Sequence, residues 1–353
     1  MVQEKEVGDE VIPFYSRMAN RNPVYDIMKG IGIILMLIGH IPPGPGLFHF
    51  IYSFHMPLFF IVAGFFASTS KLDCGVLKKY ASRLLLPVLV TMAFIIIFAP
   101  LRYFFDGNLN YTFAQVLSLL WAGDALPTRF GLLSLEAMWF LVALFWAKCF
   151  FQGVGYLVNK SFARFQDVIL LVLSFAVSSG AIFLHKFIPF VPWGVMKGLS
   201  AVWFLAMGWY SKRHPFPIYV WIGFVICWLF ALRIGSLDMS TYTYKTYPLE
   251  AFGAVGATWL VYLLSKLIQN HTSLTSKLLR WFGMNSLLIL CVNTLDRRSF
   301  LVRAVKGVLN VHPAGLLNNT IIHYSIGLAL VIALIYIPCT NRLFGAARWS
   351  DLA

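Results

Sequence analysis

Long apolar segments, separated by short segments that carry the basic residues, recur along the whole chain of 353 residues. About 20 mostly apolar residues cross a bilayer as a helix. Such segments lie at 28–42, 48–67, 81–101, 134–157, 167–184, 194–211, 216–233, 248–268, 281–301 and 320–340. They are too long and too uniformly apolar for the alternating strands of a barrel, and lipid requires the backbone to satisfy its own hydrogen bonds. The sequence therefore predicts an all-α polytopic membrane bundle of about ten transmembrane helices.

The composition excludes a soluble protein and argues against nucleic-acid binding. Charged residues make up 12% of the chain, whereas soluble domains average about 25%. The net charge is +14, but the basic residues stand between apolar segments, which favours orientation signals and contact with anionic lipids or ligands. Their distribution predicts both termini in the cytoplasm and a multi-pass protein of the plasma (cytoplasmic) membrane. The first 20 residues contain no apolar core of a cleavable signal peptide.

We therefore expect three parts: a cytoplasmic N-terminal segment at 1–26, a membrane domain at 27–341 and a cytoplasmic tail at 342–353. The five cysteines are scattered, with neither a disulfide framework nor metal-ligand spacing, so no metal is expected.

The first apolar segment combines a short apolar run with ionisable residues. The run Ile31–Ile41 is about 16 Å long as a helix, too short to cross lipid alone. Either the helix continues through Asp26 and Lys29, whose charged ends reach the membrane interface, or the run lies inside the bundle beside a polar cavity. Nearby glycines favour the second interpretation. Lys29 and His40 are about three turns apart on one face, which suits a long ligand with an anionic end.

His40 and His55 are the leading catalytic candidates. His40 stands just before Ile41-Pro42, which predicts that the helix ends there, and His55 precedes Pro57 in an apolar motif. Imidazole is the usual base for activating a hydroxyl. The competing interpretation is a histidine that simply hydrogen-bonds a neighbouring helix. A metal site is less favoured because no acidic or thiol ligand stands at suitable spacing.

Other polar residues at the ends of spans have both functional and structural interpretations. Lys78, Lys79 and Arg83 suit phosphate groups or a positive-inside anchor. Glu136 orients a histidine or caps a helix, and Trp139 contacts substrate or lies in the interfacial belt. Asn285 and Ser286 bind substrate or act as helix caps.

Five motifs, taken in order, resemble the membrane acyltransferase-3 family, in particular its fucose 4-O-acetylase-like branch. They are YDIMKGIGIILMLIGH, FHMPLFFIVAGFF, KKYASRLLLP, MWFLVALFW and FGMNSLLIL. The resemblance implies about ten helices, a cytoplasmic acyl-CoA donor and a sugar or glycan hydroxyl as acceptor. His40, His55 and Arg83 match family positions. Lys29 stands where many members have arginine, and Asn293, a substrate-binding candidate, where many have histidine.

The sequence thus predicts an O-acyltransferase that transfers an acetyl group from acetyl-CoA to a sugar or surface glycan. In this hypothesis His40 removes the hydroxyl proton or carries the acyl group. His55 stabilises the oxyanion or orients His40. The donor is expected to bind four basic residues, Lys29, Lys78, Lys79 and Arg83. The alternative is a transporter or flippase for a glycolipid or small anion with the histidines as a proton relay, although no inverted repeat is visible.

Overall fold

The computed structural model describes residues 21–41, 44–69, 73–106, 136–161, 165–188, 191–269, 273–298 and 316–337, with 340, 343–345 and 347–349. Helices make up nearly all of these residues. In chain order they are α1 (Pro23–His40), α2 (Pro45–Tyr52), α3 (His55–Gly64), α4 (Cys74–Tyr80), α5 (Leu86–Asp106), α6 (Trp139–Ser161), α7 (Gln166–His185), α8 (Val195–Arg213), α9 (Ile218–Ile234), α10 (Leu249–Gln269), α11 (Leu274–Met284), α12 (Ser286–Arg298) and α13 (Leu316–Ile335). A π-helical segment, Ala81–Leu85, joins α4 to α5.

The helical membrane bundle is the predicted architecture, but the predicted number of spans is not confirmed. Within the described ranges, six helical segments are long and apolar enough to cross a membrane, or seven if a bent pair counts as one span. One of the six, Pro45–Gly64, combines α2 and α3, and another, Cys74–Ile97, begins with α4. That pair is α11 and the first part of α12, which meet at 65°. α9 is apolar but shorter than the other spans. The remaining predicted segments also contain helices, yet ten crossings stay a prediction.

α8 lies at the centre of the bundle. Every residue from Ala201 to Trp209 is buried, as expected for a helix surrounded by other helices. It packs against α3, α6 and α7. At the contact with α3, a Cβ atom added to Gly64 or Gly208 would overlap a carbonyl oxygen of the facing helix. The two backbones therefore touch directly, which is how helices associate in lipid.

α1 is likewise an inner helix, in contact with α3, α10, α11 and α12. Ile27 and Met28 are fully buried. A Cβ atom on Gly30 would overlap the carbonyl oxygen of Leu279, and one on Gly283 would overlap that of Asp26. This direct backbone contact holds the first part of α1 against α11.

A small hairpin covers the end of the bundle between α9 and α10. Its strands, β1 (Leu237–Asp238) and β2 (Thr243–Tyr244), pair antiparallel. Buried Glu250, in the first turn of α10, receives backbone N–H groups from Ser236 at 2.6 Å, Lys245 at 3.0 Å and Thr246 at 2.9 Å. One carboxylate therefore fixes both ends of the hairpin.

Candidate functional site

The two candidate histidines lie at the same end of the bundle because the chain turns back between them. α1 ends at His40, and the extended Ile41 (φ −76°, ψ 139°) precedes Pro42, which disfavours helix at that residue. The ring of Tyr52 then lies between the two helix ends. It contacts the His55 ring edge-to-face at 4.8 Å between centroids, and its Cε2 would be 3.1 Å from a Cβ atom on Gly39.

A break between α2 and α3 positions His55. The sequence predicts one span over 48–67, but the helix is interrupted at Ser53 and Phe54. Pro57 explains part of this, because it has no N–H to donate to the carbonyl of Ser53. Across the break, Nδ1–H of buried His55 donates to the carbonyl oxygen of Ile51 at 2.9 Å. The same carbonyl accepts the backbone N–H of Phe54 at 3.4 Å, so the side chain adds a shorter hydrogen bond at the break.

This hydrogen bond defines what His55 can do chemically. A neutral imidazole with its proton on Nδ1 carries a lone pair on Nε2 and can accept a proton or hydrogen bond there. Stabilising an oxyanion, one of the two roles expected from the sequence, would require the protonated ring. The carboxylate of Asp238 in β1 interacts electrostatically with His55. With its proton on Nδ1, the neutral ring can accept a hydrogen bond from a hydroxyl at Nε2 but cannot donate one there.

α12 brings Asn293 to the same region. Its Nδ2 contacts Sδ of Met36 at 4.0 Å, and Met36 lies one turn before His40 on the same face of α1. Oδ1 of Asn293 is buried without a hydrogen-bond partner in the described part of the chain. Unpaired buried acceptors are costly and rare. This amide is therefore suited to accept a hydrogen bond from a ligand.

The start of α6 adjoins α12 through a 3₁₀ turn, Glu136–Met138. The side chain of Glu136, a catalytic candidate, lies outside the described part of the structure. Trp139 is not at a solvent interface, because it is buried, and Nζ of Lys197 lies 5.0 Å from its ring centroid. Lys197 is itself buried and donates to the carbonyl of Ser240 at 2.6 Å. Trp139 thus covers an internal cation.

The hairpin near these groups also contains a tyrosine, Tyr244, with a shifted pKa. Removal of its hydroxyl from water raises the pKa of Tyr244 well above its usual value. The hydroxyl therefore stays protonated at neutral pH and donates to Oγ of Ser200 at 3.3 Å.

The predicted donor-binding cations differ in their surroundings. Lys29 forms a salt bridge of 2.6 Å with Asp26, so a bound phosphate would compete with a carboxylate for its charge. Lys78, Lys79 and Arg83 are exposed, and Arg83 lies in the π-helical segment.

Lys148 of α6 was not among the predicted site residues, although it faces this basic group. Its Nζ is 5.1 Å from the Tyr80 ring centroid, and its charge interacts with that of Arg83. A lysine within an apolar span was the sequence signal that could have identified it.

The two polar residues predicted at the start of α12 are not part of this constellation. Both ends of the Asn285 amide bind the backbone of Ala347: Nδ2 donates to its carbonyl at 3.0 Å, and Oδ1 accepts its N–H at 2.9 Å. Asn285 also lies eight residues before Asn293, about 12 Å along the helix axis. It therefore holds the C-terminal segment, and neighbouring Ser286 is half-buried at the same bend.

The comparisons with known proteins identify a family for this chain. The profile of the acyltransferase-3 family, described as an acyltransferase domain, matches residues 22–339. All the candidate site residues lie within this range. No curated protein and no solved structure matches the chain significantly.

Proposed function

The chain belongs to the acyltransferase-3 family, and from this premise we propose that it is a membrane O-acetyltransferase. It would transfer the acetyl group of acetyl-CoA to a hydroxyl of a sugar or surface glycan. The observation that supports this proposal most directly is that α1 ends at His40 beside Tyr52, which contacts His55, while Asn293 contacts Met36 one turn before His40. The basic residues Lys78, Lys79 and Arg83 lie at the junction of α4 with the π-helical segment. In this proposal one elongated donor contacts both these residues and the polar end of α1.

In the proposed reaction, a histidine takes the proton of the acceptor hydroxyl as its oxygen attacks the thioester carbonyl. The carbon–sulfur bond then breaks, and the departing thiolate receives the proton, which leaves an O-acetyl ester and free CoA. His40 is the proposed base, because it is the last residue of α1 and matches the family's histidine of the first helix. His55, through its Nε2 lone pair, holds the hydroxyl in place.

The donor's phosphates would bind Lys78, Lys79 and Arg83, with a smaller contribution from Lys29 because Asp26 already pairs with it. Phosphate recognition by basic side chains relies on charge-assisted hydrogen bonds. Positive-inside orientation would place these residues at the cytoplasmic face, where acetyl-CoA is made available. The pantetheine arm would then bring the acetyl group to the end of α1 at His40.

The proposal is tested with membranes from cells that produce the protein, incubated with acetyl-CoA labelled in the acetyl group. We expect label in the glycan fraction together with an equal amount of free thiol. His40→Ala should lower both by at least about 100-fold while leaving the amount of folded protein unchanged. Full transfer by folded His40→Ala would refute the assignment. Movement of a substrate across the membrane without thiol release would instead favour the transporter.

A further inference from the structure

Lys148 interrupts an otherwise apolar stretch of α6, FLVALFWAKCFF. Its side chain turns towards the junction of α4 with the π-helical segment, where its Nζ lies 5.1 Å from the centroid of the Tyr80 ring. A cation over an aromatic face is attracted by the ring quadrupole. This contact holds the ammonium beside the basic residues of α4 and not towards surrounding lipid.

A charge of the same sign acts on Lys148. Its ammonium interacts electrostatically with the guanidinium of Arg83. The two acid–base pairs found among the described residues are Lys29–Asp26 and His214–Asp167, and neither contains Arg83 or Lys148. Two adjacent cations at the edge of a low-dielectric region repel each other unless an anion lies between or beside them.

The backbone at Arg83 is also unusual. Ala81–Leu85 forms a π-helical turn between two α-helices, with Arg83 at its centre. π-Helical turns in α-helices are rare and frequently occur at functional sites. This segment packs directly against α6. The wider turn therefore lies beside the helix that carries Lys148.

We propose that Lys148 and Arg83 together bind one phosphate-bearing group, the diphosphate of the CoA donor, with Tyr80 holding Lys148 in position. This inference rests on the proposed function, and it assigns Lys148 as an additional donor-binding residue. From Lys148, nine residues of α6 lead back to Trp139, about 13 Å along the axis. A donor held at Lys148 can thus extend its pantetheine arm along α6 towards the region of Asn293.

The test measures equilibrium binding of CoA and of pantetheine, which lacks the phosphates, to the full-length protein in lipid nanodiscs. In Lys148→Gln we expect CoA to bind about 10-fold more weakly, with pantetheine binding unchanged. Lys148→Arg, which keeps the charge, should retain most of the CoA affinity. The matched control is Lys160→Gln, which removes an exposed charge from the C-terminal end of the same helix.

Each outcome distinguishes this inference from the function on which it rests. Unchanged CoA binding in Lys148→Gln overturns the role of Lys148 and leaves the donor assignment intact. Equal weakening of CoA and pantetheine also overturns it, because that result indicates a structural role for Lys148. If the wild-type protein binds no CoA, the donor assignment and the inference both fail.

Discussion

Replacing His55 by asparagine separates the structural role of this residue from its proposed chemical role. The asparagine amide nitrogen can take the place of Nδ1 and donate to the carbonyl of Ile51, but asparagine has nothing at the position of Nε2. We therefore expect His55→Asn to fold normally and to lose acetyl transfer by about 10²-fold, the loss expected when a reacting hydroxyl is misplaced by about 1 Å.

The alanine variant removes both roles. His55→Ala removes the 2.9 Å hydrogen bond from the imidazole to the buried carbonyl of Ile51, which keeps only the N–H of Phe54 at 3.4 Å. The loss of one hydrogen bond costs about 0.5–1.5 kcal/mol. The ring is buried against Tyr52, so lost packing adds about 2 kcal/mol. A total of about 3 kcal/mol should appear as lower thermal stability in detergent.

The assay combines transfer of labelled acetyl groups with the unfolding temperature in detergent, measured in the same preparation. His55→Gln, whose amide reaches towards the Nε2 position, completes the series. Substantial transfer by His55→Asn would refute the role of Nε2. A His55→Ala protein as stable as the wild type would show that the hydrogen bond to Ile51 does not stabilise the break between α2 and α3.

Two further variants test the framework around the site. Glu250→Gln keeps the side-chain shape but weakens three hydrogen bonds by removing the charge, so we expect a loss of roughly 1–3 kcal/mol; an unchanged unfolding temperature in detergent would contradict this. Gly283→Val inserts a branched side chain against the backbone of Asp26, and we expect aggregated protein by size-exclusion chromatography. Gly153→Ala, where a Cβ atom meets nothing within 4 Å, is the control and should remain monodisperse.

Features encoded by neighbouring residues were predictable from the sequence. Pro42 correctly marked the end of α1 at His40, and runs of apolar residues identified the helices. The break between α2 and α3 was only partly signalled, because Pro57 indicates a disturbance but not its position. At the break, the side chain of His55 bonds to the carbonyl of Ile51, and no hydrophobic pattern records such a bond.

Features that depend on distant residues were not predictable. Lys197 is buried and contacts the ring of Trp139 and the carbonyl of Ser240, which are 58 and 43 residues away in the chain. Asn285, a substrate-binding candidate, instead binds Ala347, 62 residues later in the chain. Local propensity and periodicity contain no information about such partners. The sequence therefore could not decide between functional and structural roles for polar residues at the ends of spans.

The role of Asn285 has a consequence for the proposed catalytic end of the bundle. It stands at the 65° bend between α11 and α12, and its bonds to Ala347 fix the geometry of that bend. α11 is held against α1 by direct backbone contact at Gly283. With both constraints, α12 has little freedom relative to α1, and Asn293 is held beside Met36, one turn from His40. The C-terminal segment therefore helps to position a polar group at the site without reaching it.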